Sequence, residues 1–232
     1  MRLPGAILIL TFLLMGIIIM LTPIPDDVSV LAEQASERTL VIDAGHGGFD
    51  GGASGASGVT EQDINLSIAR RTQLLCAFWG YNAQMTRTDE QALDYQPGAT
   101  IHENKVADLH KRLDILEQTP DPVLLSIHLN YFSDAQYKGA QVFYSPNHAG
   151  SSLLAEALQQ TLRQGLDPEN NRQAKEAPDG VYLLRQAQCP AVIIECGFLS
   201  HPQEEELLTQ QDYHTRIALC ILAGVQEYIA AE

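Results

Sequence analysis

The sequence TLVIDAG at residues 39–45 decides the fold, because it is a short apolar run that ends in a glycine-rich loop. An apolar run of this length, bounded by turn residues, is typical of a buried strand. The amphipathic stretch at 64–79 predicts a helix, and the stretch at 81–87 predicts a second strand. This strand–helix–strand order predicts two parallel strands joined by a helical crossover.

The alternation of strands and helices continues to the end of the chain. Further helices are predicted at 102–118, 151–166 and near 212–230, and further strands at 123–130, 139–145 and 191–197. This pattern predicts one α/β domain, whose mainly parallel, mixed sheet is flanked by helices on both faces. Binding sites in such domains lie at the carboxyl ends of the strands.

The amino terminus has a different composition, since residues 5–22 carry no charge and follow Arg2. About 20 apolar residues can span a bilayer, whereas signal-peptide cores usually have about 7 to 15. The segment 1–22 is therefore predicted to be an N-terminal hydrophobic helix, and an uncleaved membrane anchor is favoured over a removed signal. Residues 23–38 are predicted to form a linker, and residues 39–232 a single folded domain.

The net charge of −15 comes from 29 acidic and 14 basic residues. Nucleic acid is an unsuitable partner, because a protein that binds it needs clustered Lys and Arg side chains. The four cysteines have no metal-binding spacing, and one or two disulfides remain open. Cys76 and Cys220 lie in apolar helical patterns, which favour buried thiols.

Polar residues stand at the ends of three apolar strands. His46 follows the first strand, His128 lies near the end of VLLSIHLN, and Glu195 ends AVIIE. Together with Glu61, at the start of the next helix, the two histidines offer three ligands for a catalytic zinc. Glu195 then remains as a carboxylate for proton transfer during hydrolysis of an amide. Asp43 and Asn130 are candidates to orient the histidines.

Each of these residues also has a structural interpretation. Glu61 fits the acidic first turn of a capped helix, His128 a core histidine, and Glu195 a buried ion-pair partner. The turn Gly45-His46-Gly47-Gly48 fits a phosphate-binding loop. The remaining histidines are predicted to lie at the surface; these are His102, His110, His148, His201 and His214.

The chain from about residue 39 to its end resembles the zinc-dependent N-acetylmuramoyl-L-alanine amidases. Four ordered motifs carry the resemblance: VIDAGHGGFDGGASG with TEQDINL, MTR at 85–87, LSIHLN at 125–130 and PAVIIECGFLS at 190–200. The resemblance implies that His46, Glu61 and His128 bind zinc and that Glu195 is the catalytic acid and base. It also implies hydrolysis of the amide between the lactyl group of muramic acid and L-alanine of the stem peptide.

Within that family the chain is most similar to the sporulation and germination amidases that prepare cortex peptidoglycan for formation of muramic lactam. The similarity implies a location outside the cytoplasmic membrane, peptidoglycan as the substrate polymer, and a possible recruiting protein. Two alternatives remain open. One is a zinc peptidase or deacetylase that acts on peptidoglycan, and the other is a noncatalytic, wall-associated metal-binding protein.

Overall fold

The computed structural model describes residues 38–231 of the chain. In this range the strands are β1 (Thr39–Ala44), β2 (Asn82–Met85), β3 (Pro122–Asn130), β4 (Gln141–Tyr144), β5 (Lys175–Glu176) and β6 (Ala191–Phe198). The helices are α1 (Glu61–Phe78), α2 (Ile101–Gln118), α3 (Gly150–Leu166), α4 (Tyr182–Gln186), α5 (Pro202–Leu208) and α6 (Gln211–Ala230).

The strands form one 6-stranded sheet in the order β2-β1-β3-β6-β4-β5. β1 pairs in parallel with β2 and β3, and β3 pairs in parallel with β6. β4 runs antiparallel to β6 and parallel to β5. The predicted mainly parallel, mixed sheet is therefore confirmed, and the carboxyl ends of β1, β3 and β6 meet at one edge.

Both faces of the sheet are covered, because alternate residues of a strand point to opposite faces. Leu40 and Ile42 of β1 join a large apolar core with residues of α1, α3 and α6. Val41 joins a smaller core on the other face, with Leu116 of α2 and Leu184 of α4. The prediction of helices on both faces is confirmed.

The same alternation decides where the polar strand ends point. In β3, Ile127 and Leu129 enter the large core, so His128 between them must face the side covered by α2 and α4. In β6, Ile194 enters the large core, so Glu195 faces the same side as His128. The register pairs His128 directly with Glu195 on the neighbouring strand. The two side chains are therefore neighbours on one face of the sheet.

Two elements, β5 and α5, were not predicted from the sequence pattern. β5 has two residues, too few to show an alternation. α5 begins at Pro202, and the ring of His201 caps it by accepting a hydrogen bond from the backbone N–H of Glu204 at 3.3 Å. Proline is favoured in the first turn of a helix, where no backbone N–H is needed.

The four cysteines, Cys76, Cys189, Cys196 and Cys220, are all buried and free. Burial raises the pKa of the Cys76 thiol to about 12, so this thiol is neutral and unreactive at physiological pH. The buried thiols predicted for Cys76 and Cys220 are confirmed.

No helix within residues 38–231 is long and apolar enough to cross a membrane. The hydrophobic segment predicted at 1–22, and all but the last residue of the linker predicted at 23–38, lie outside the described residues.

Candidate active site

His46 lies in the loop after β1 in a left-handed backbone conformation, with a φ of 63°. Residues other than glycine adopt this conformation only at some cost, so neighbouring groups must hold it in place. Nη2 of Arg112 donates a hydrogen bond of 2.7 Å to the carbonyl oxygen of His46. The loop is thereby tied to α2, and the imidazole is directed toward β3.

Glu61 is the first residue of α1, and its carboxylate accepts hydrogen bonds from two backbone segments. Oε2 accepts from the N–H of Ala53 at 2.9 Å, and Oε1 accepts from the N–H of Leu129 at 3.0 Å. The side-chain amide of Asn65, one turn further along α1, donates to Oε1 at 3.3 Å. Glu61 therefore joins the glycine-rich loop to the end of β3.

The structure decides against Glu61 as a simple capping residue. Thr60 forms no side-chain cap to the helix backbone, and its hydroxyl instead donates to Oδ2 of Asp63 at 2.5 Å. Although burial raises the pKa of Glu61, hydrogen bonds from His128 and His46 outweigh it and hold this pKa well below its usual range. Glu61 is thus an ionised carboxylate directed at two imidazoles.

The three side chains converge on one small volume. Oε1 of Glu61 lies 3.2 Å from Nε2 of His46 and 3.1 Å from Nδ1 of His128. The two imidazole rings meet edge to face, with their centroids 4.9 Å apart. The candidate ligand atoms of all three residues lie within 4.8 Å of one another.

These separations fit a metal ion. Two ligand atoms that each lie about 2.1 Å from a tetrahedral zinc are about 3.4 Å apart, close to the two shorter separations here. Glycines keep the space open, since a Cβ on Gly45 would lie 2.3 Å from the ring of His128. A Cβ on Gly52 would lie 2.6 Å from Oε2 of Glu61 and 2.8 Å from Cδ2 of His46.

Glu195 lies beside this group and differs from Glu61 in its surroundings. Its Oε2 is buried and has no hydrogen-bond partner among residues 38–231. Burial raises the pKa of Glu195 to about 7, and the negative charge of Glu61 adds to this rise, while His128 and His46 oppose it. A buried carboxyl group with this pKa can both take up and release a proton near neutral pH.

Asp50 supports the site and was missed by the sequence reasoning. Its Oδ2 lies 3.1 Å from Nδ1 of His46, on the opposite side of the ring from Glu61, and 3.1 Å from Nζ of Lys105. Burial lowers the pKa of His46, but hydrogen bonds to Asp50 and Glu61 raise it to about 9. A histidine that binds a metal through one nitrogen commonly donates the other N–H to a carboxylate. Asp50 is the only Asp in the loop GHGGFDGG, so this rule could have identified it from the sequence.

Among residues 38–231, Asp43 forms no hydrogen bond to a histidine, in contrast to the predicted role. Its carboxylate pairs with Arg112 and accepts hydrogen bonds from the hydroxyl groups of Ser126 at 2.6 Å and Thr86 at 2.7 Å. Although burial raises the pKa of Asp43, the charge of Arg112 and the hydroxyl donors lower it to about 2. Asp43 acts on His46 indirectly, because it orients the arginine that holds the His46 carbonyl. For Asn130, the contact found is its carbonyl accepting from the N–H of Leu199.

Arg87 and Arg112 brace the loop after β1 from two sides. Arg87 donates to the carbonyl groups of Ala44 at 2.9 Å and Gly45 at 3.0 Å. Arg112 donates to the Ala44 carbonyl at 2.8 Å and pairs through Nε with Asp108 at 2.7 Å. Both arginines are buried. Each donates to several acceptors at once, and the forked guanidinium group of Arg is better suited to this than the ammonium group of Lys.

The prediction that the other histidines lie at the surface is wrong for His214. Its side chain is buried, with Nδ1 2.8 Å from the Ser67 hydroxyl on α1 and Nε2 2.6 Å from the Leu208 carbonyl on α5. Both ring nitrogens are therefore satisfied, and burial lowers the pKa of His214. His214 is a core histidine outside the candidate metal group.

A cleft of about 240 Å³ opens beside the two histidines. Its polar wall includes His46, His128 and Lys105, and its apolar wall comes from α4 and the residues before it, including Val181 and Tyr182. The cleft has room for a short segment of a substrate on the face that carries Glu195.

The fold and site together define a class. A parallel α/β sheet that brings two imidazoles and a carboxylate to one edge, beside a second carboxylate, is the arrangement of a metal-dependent hydrolase. A model of the N-acetylmuramoyl-L-alanine amidase family matches residues 40–227. The chain belongs to this family, whose members are hydrolases of peptidoglycan.

Individual relatives agree with the family match. The germination-specific N-acetylmuramoyl-L-alanine amidase of Bacillus subtilis (strain 168) is 32% identical over 193 residues, which cover 83% of this chain and 80% of that protein. The CwlD amidase from Clostridioides difficile, solved in complex with the GerS lipoprotein, superposes with a TM-score of 0.80 at 36% identity. That match covers 84% of this chain and 99% of the CwlD chain.

A more distant structure supports the same fold. The amidase AmiC2 of Nostoc punctiforme superposes with a TM-score of 0.72 at 26% identity, covering 84% of this chain and 99% of that one. The predicted family, fold class and amidase activity are confirmed by these matches. The metal site, by contrast, rests on the geometry described above.

Proposed function

We propose that the protein is a zinc enzyme in which His46, Glu61 and His128 hold the metal and Glu195 transfers the proton. The reaction is hydrolysis of the amide that joins the lactyl group of muramic acid to L-alanine of the stem peptide. The observation that carries this proposal is the convergence of three ligand atoms within 4.8 Å beside Glu195, whose buried Oε2 has no hydrogen-bond partner among residues 38–231.

The donor set favours zinc over other common ions. Two imidazoles and one carboxylate form the His₂Glu set of several zinc hydrolases, whereas Ca²⁺ and Mg²⁺ prefer oxygen ligands alone. When bound, zinc supplies Lewis acidity that polarises the scissile carbonyl and makes water more acidic.

The protein side chains supply the proton transfer and the alignment. Glu195 accepts a proton from the attacking water and delivers it to the amide nitrogen as the bond breaks, which lets the alanine leave as a neutral amine. Asp50 fixes the His46 ring by accepting its Nδ1–H at 3.1 Å. Arg112 and Asp43 hold the backbone on which His46 stands.

The substrate polymer is recognised locally in this proposal. The chain carries a net charge of −15, so its surface does not attract an anionic wall polymer at long range. Binding must then come from contacts within the cleft beside His46 and His128. This fits an enzyme that is brought to its substrate by other means than charge.

We propose cortex peptidoglycan as the natural substrate. The similar Bacillus subtilis amidase, which is named germination-specific, supports this substrate. Stem removal by such an enzyme would precede formation of muramic lactam, as the sequence resemblance implies.

Location and recruitment complete the proposal. Cell-wall amidases act outside the cytoplasmic membrane, and the uncharged stretch at 5–22 would tether this one to the membrane surface. Because CwlD was solved in complex with a lipoprotein, a lipoprotein of the same compartment is the proposed recruiting partner.

The test is digestion of purified vegetative and cortex peptidoglycan, followed by mass spectrometry of the products. The wild-type protein should release intact peptides that begin with L-alanine and leave glycan without stems. Glu195→Gln should retain zinc but lose at least about 10²-fold in rate, because the proton acceptor is gone. Glu117→Gln, which changes an exposed glutamate of α2, is the matched control and should behave as wild type.

Two outcomes would overturn the proposal. Full activity of Glu195→Gln would remove Glu195 from the chemistry. Products cut within the peptide, or glycan that has lost acetyl groups, would identify a peptidase or a deacetylase instead. Cleavage of vegetative peptidoglycan alone would leave the amidase assignment in place and contradict the cortex substrate.

A further inference from the structure

A second cavity lies at the edge of the sheet, near β4 and β5, and has a volume of about 590 Å³. Its lining residues are all polar or aromatic and include Lys138, Gln141, Arg172 and Lys175. Three of them are cationic and none is acidic, although the chain as a whole has 29 acidic and 14 basic residues. The cavity is therefore a positive site in an acidic protein.

Arg172 is fixed in the wall of this cavity. Nε donates to the carbonyl of Lys138 at 2.7 Å, and Nη1 donates to Oε1 of Gln141 at 2.8 Å. Its guanidinium group also lies over the ring of Phe198, 4.6 Å from the centroid. Gln141 is buried and is itself held by the carbonyl of Gln173 at 3.0 Å. These contacts fix the position of the positively charged Arg172 guanidinium group.

The positive charge of the cavity is only partly balanced. Lys138 pairs with Asp167 at 3.3 Å, at a half-exposed position. Neither Arg172 nor Lys175 forms an ion pair with a carboxylate within residues 38–231. Two cations that face one polar cavity without an acidic partner favour a bound anion, such as a carboxylate or a phosphate.

The register of the sheet places one wall residue of the cavity next to Glu195. Gln141 of β4 pairs directly with Glu195 of β6 in the antiparallel register. Neighbouring strands lie about 4.8 Å apart, so the wall of the cavity begins one strand away from the proposed proton carrier. A peptide advances about 3.5 Å per residue, so the second residue beyond the scissile amide reaches about 7 Å from Glu195.

We propose that this cavity binds a free carboxylate of the stem-peptide residue that directly follows the L-alanine of the scissile bond. The proposal rests on the amidase function and deepens it, because it assigns the peptide side of the substrate to the cavity of Arg172 and Lys175. The enzyme then selects acidic stem peptides over peptides in which that carboxylate is amidated.

The test uses two synthetic muramoyl dipeptides, N-acetylmuramoyl-L-Ala-D-Glu and its analogue with amidated glutamate carboxylates. Wild-type protein loaded with zinc should have a KM about tenfold lower for the acidic peptide. Lys175→Gln should raise the KM for the acidic peptide roughly threefold, with kcat and the KM of the amidated peptide unchanged. Lys175→Arg should retain the wild-type preference. Added salt should reduce the preference, since Lys175 is exposed.

Lys111→Gln is the matched control, because Lys111 is exposed on α2 and does not line the cavity. Equal KM values of the wild type for both peptides, or an equal rise for Lys111→Gln and Lys175→Gln, would overturn the carboxylate subsite and leave the amidase function intact. Cleavage of neither peptide, nor of peptidoglycan, would overturn both proposals together.

Discussion

Gly45 offers a sharp test of the candidate metal site, because its hydrogen atom faces the ring of His128. A Cβ at this position would lie 2.3 Å from both Cε1 and Nε2 of that ring. The backbone of Gly45 is outside the left-handed region that favours glycine, so Gly45→Ala introduces a steric conflict rather than a backbone strain.

The size of the conflict follows from these distances. Ordinary contact between a methyl carbon and a ring atom begins at about 3.4 Å, so the ring or the loop must move by about 1.1 Å. Metal–ligand distances tolerate about 0.2 Å, and a displacement of about 1 Å at a reacting centre costs about 10²-fold in rate. Gly45→Ala should therefore lower kcat/KM by about 10²-fold, or about 2.7 kcal/mol of transition-state stabilisation.

The assay pairs zinc titration against a chelating indicator with the rate of stem-peptide release. The matched control is Gly51→Ala in the same loop, where an added Cβ would meet nothing within 4 Å. Gly51→Ala should keep wild-type zinc affinity and rate. Gly45→Ala should remain folded, with a thermal midpoint lower by a few degrees, since overpacking typically costs about 1 to 3 kcal/mol. Wild-type zinc affinity and rate in Gly45→Ala would refute the assignment of His128 as a ligand.

Two further predictions concern the carboxylates around His46. Asp50→Asn should weaken zinc binding by about tenfold, which is the lower end of the usual effect because the Asp50 side chain is 22% exposed. The control Lys105→Gln should change zinc affinity by less than about threefold. Equal zinc affinities of Asp50→Asn and wild type would contradict the support of His46 by Asp50. The pKa of Asp43 is lowered from 3.8 to about 2, so ionised Asp43 should contribute about 2 kcal/mol to the free energy of unfolding above pH 4 and lose this contribution as the pH falls through 2. Urea unfolding of wild type and Asp43→Asn between pH 7 and pH 2 should show a difference in free energy of unfolding that becomes smaller in acid. A difference that stays constant with pH would contradict this prediction.

The strand ends were predictable from sequence because the sheet itself brings them together. Parallel strands present their carboxyl ends at one edge, so polar residues that end β1, β3 and β6 had to be neighbours. Alternation along β3 and β6 then placed His128 and Glu195 on the same face. Glu61 is a candidate ligand from its place at the start of the helix after the glycine-rich loop, although local rules alone favour it as a residue of a capped helix, and the family motifs imply the same ligand role.

The supporting contacts were not predictable in the same way. Arg112 lies in a polar stretch of α2, where it has the pattern of a surface residue, and its burial is decided by Asp43 and by the carbonyl of His46, 69 and 66 residues away. The sequence predicts a surface position for His214, because helical periodicity does not show that Ser67 of α1 lies opposite it. Contacts between distant segments set both positions.

The most direct measurement of the central claim is a crystal structure of the zinc-loaded protein, with anomalous diffraction data on both sides of the zinc absorption edge. One zinc peak should lie about 2.0 to 2.2 Å from a nitrogen of His46, a nitrogen of His128 and a carboxylate oxygen of Glu61, with Glu195 close by but not a ligand. A peak elsewhere, or a site closed by four protein ligands, would contradict the account.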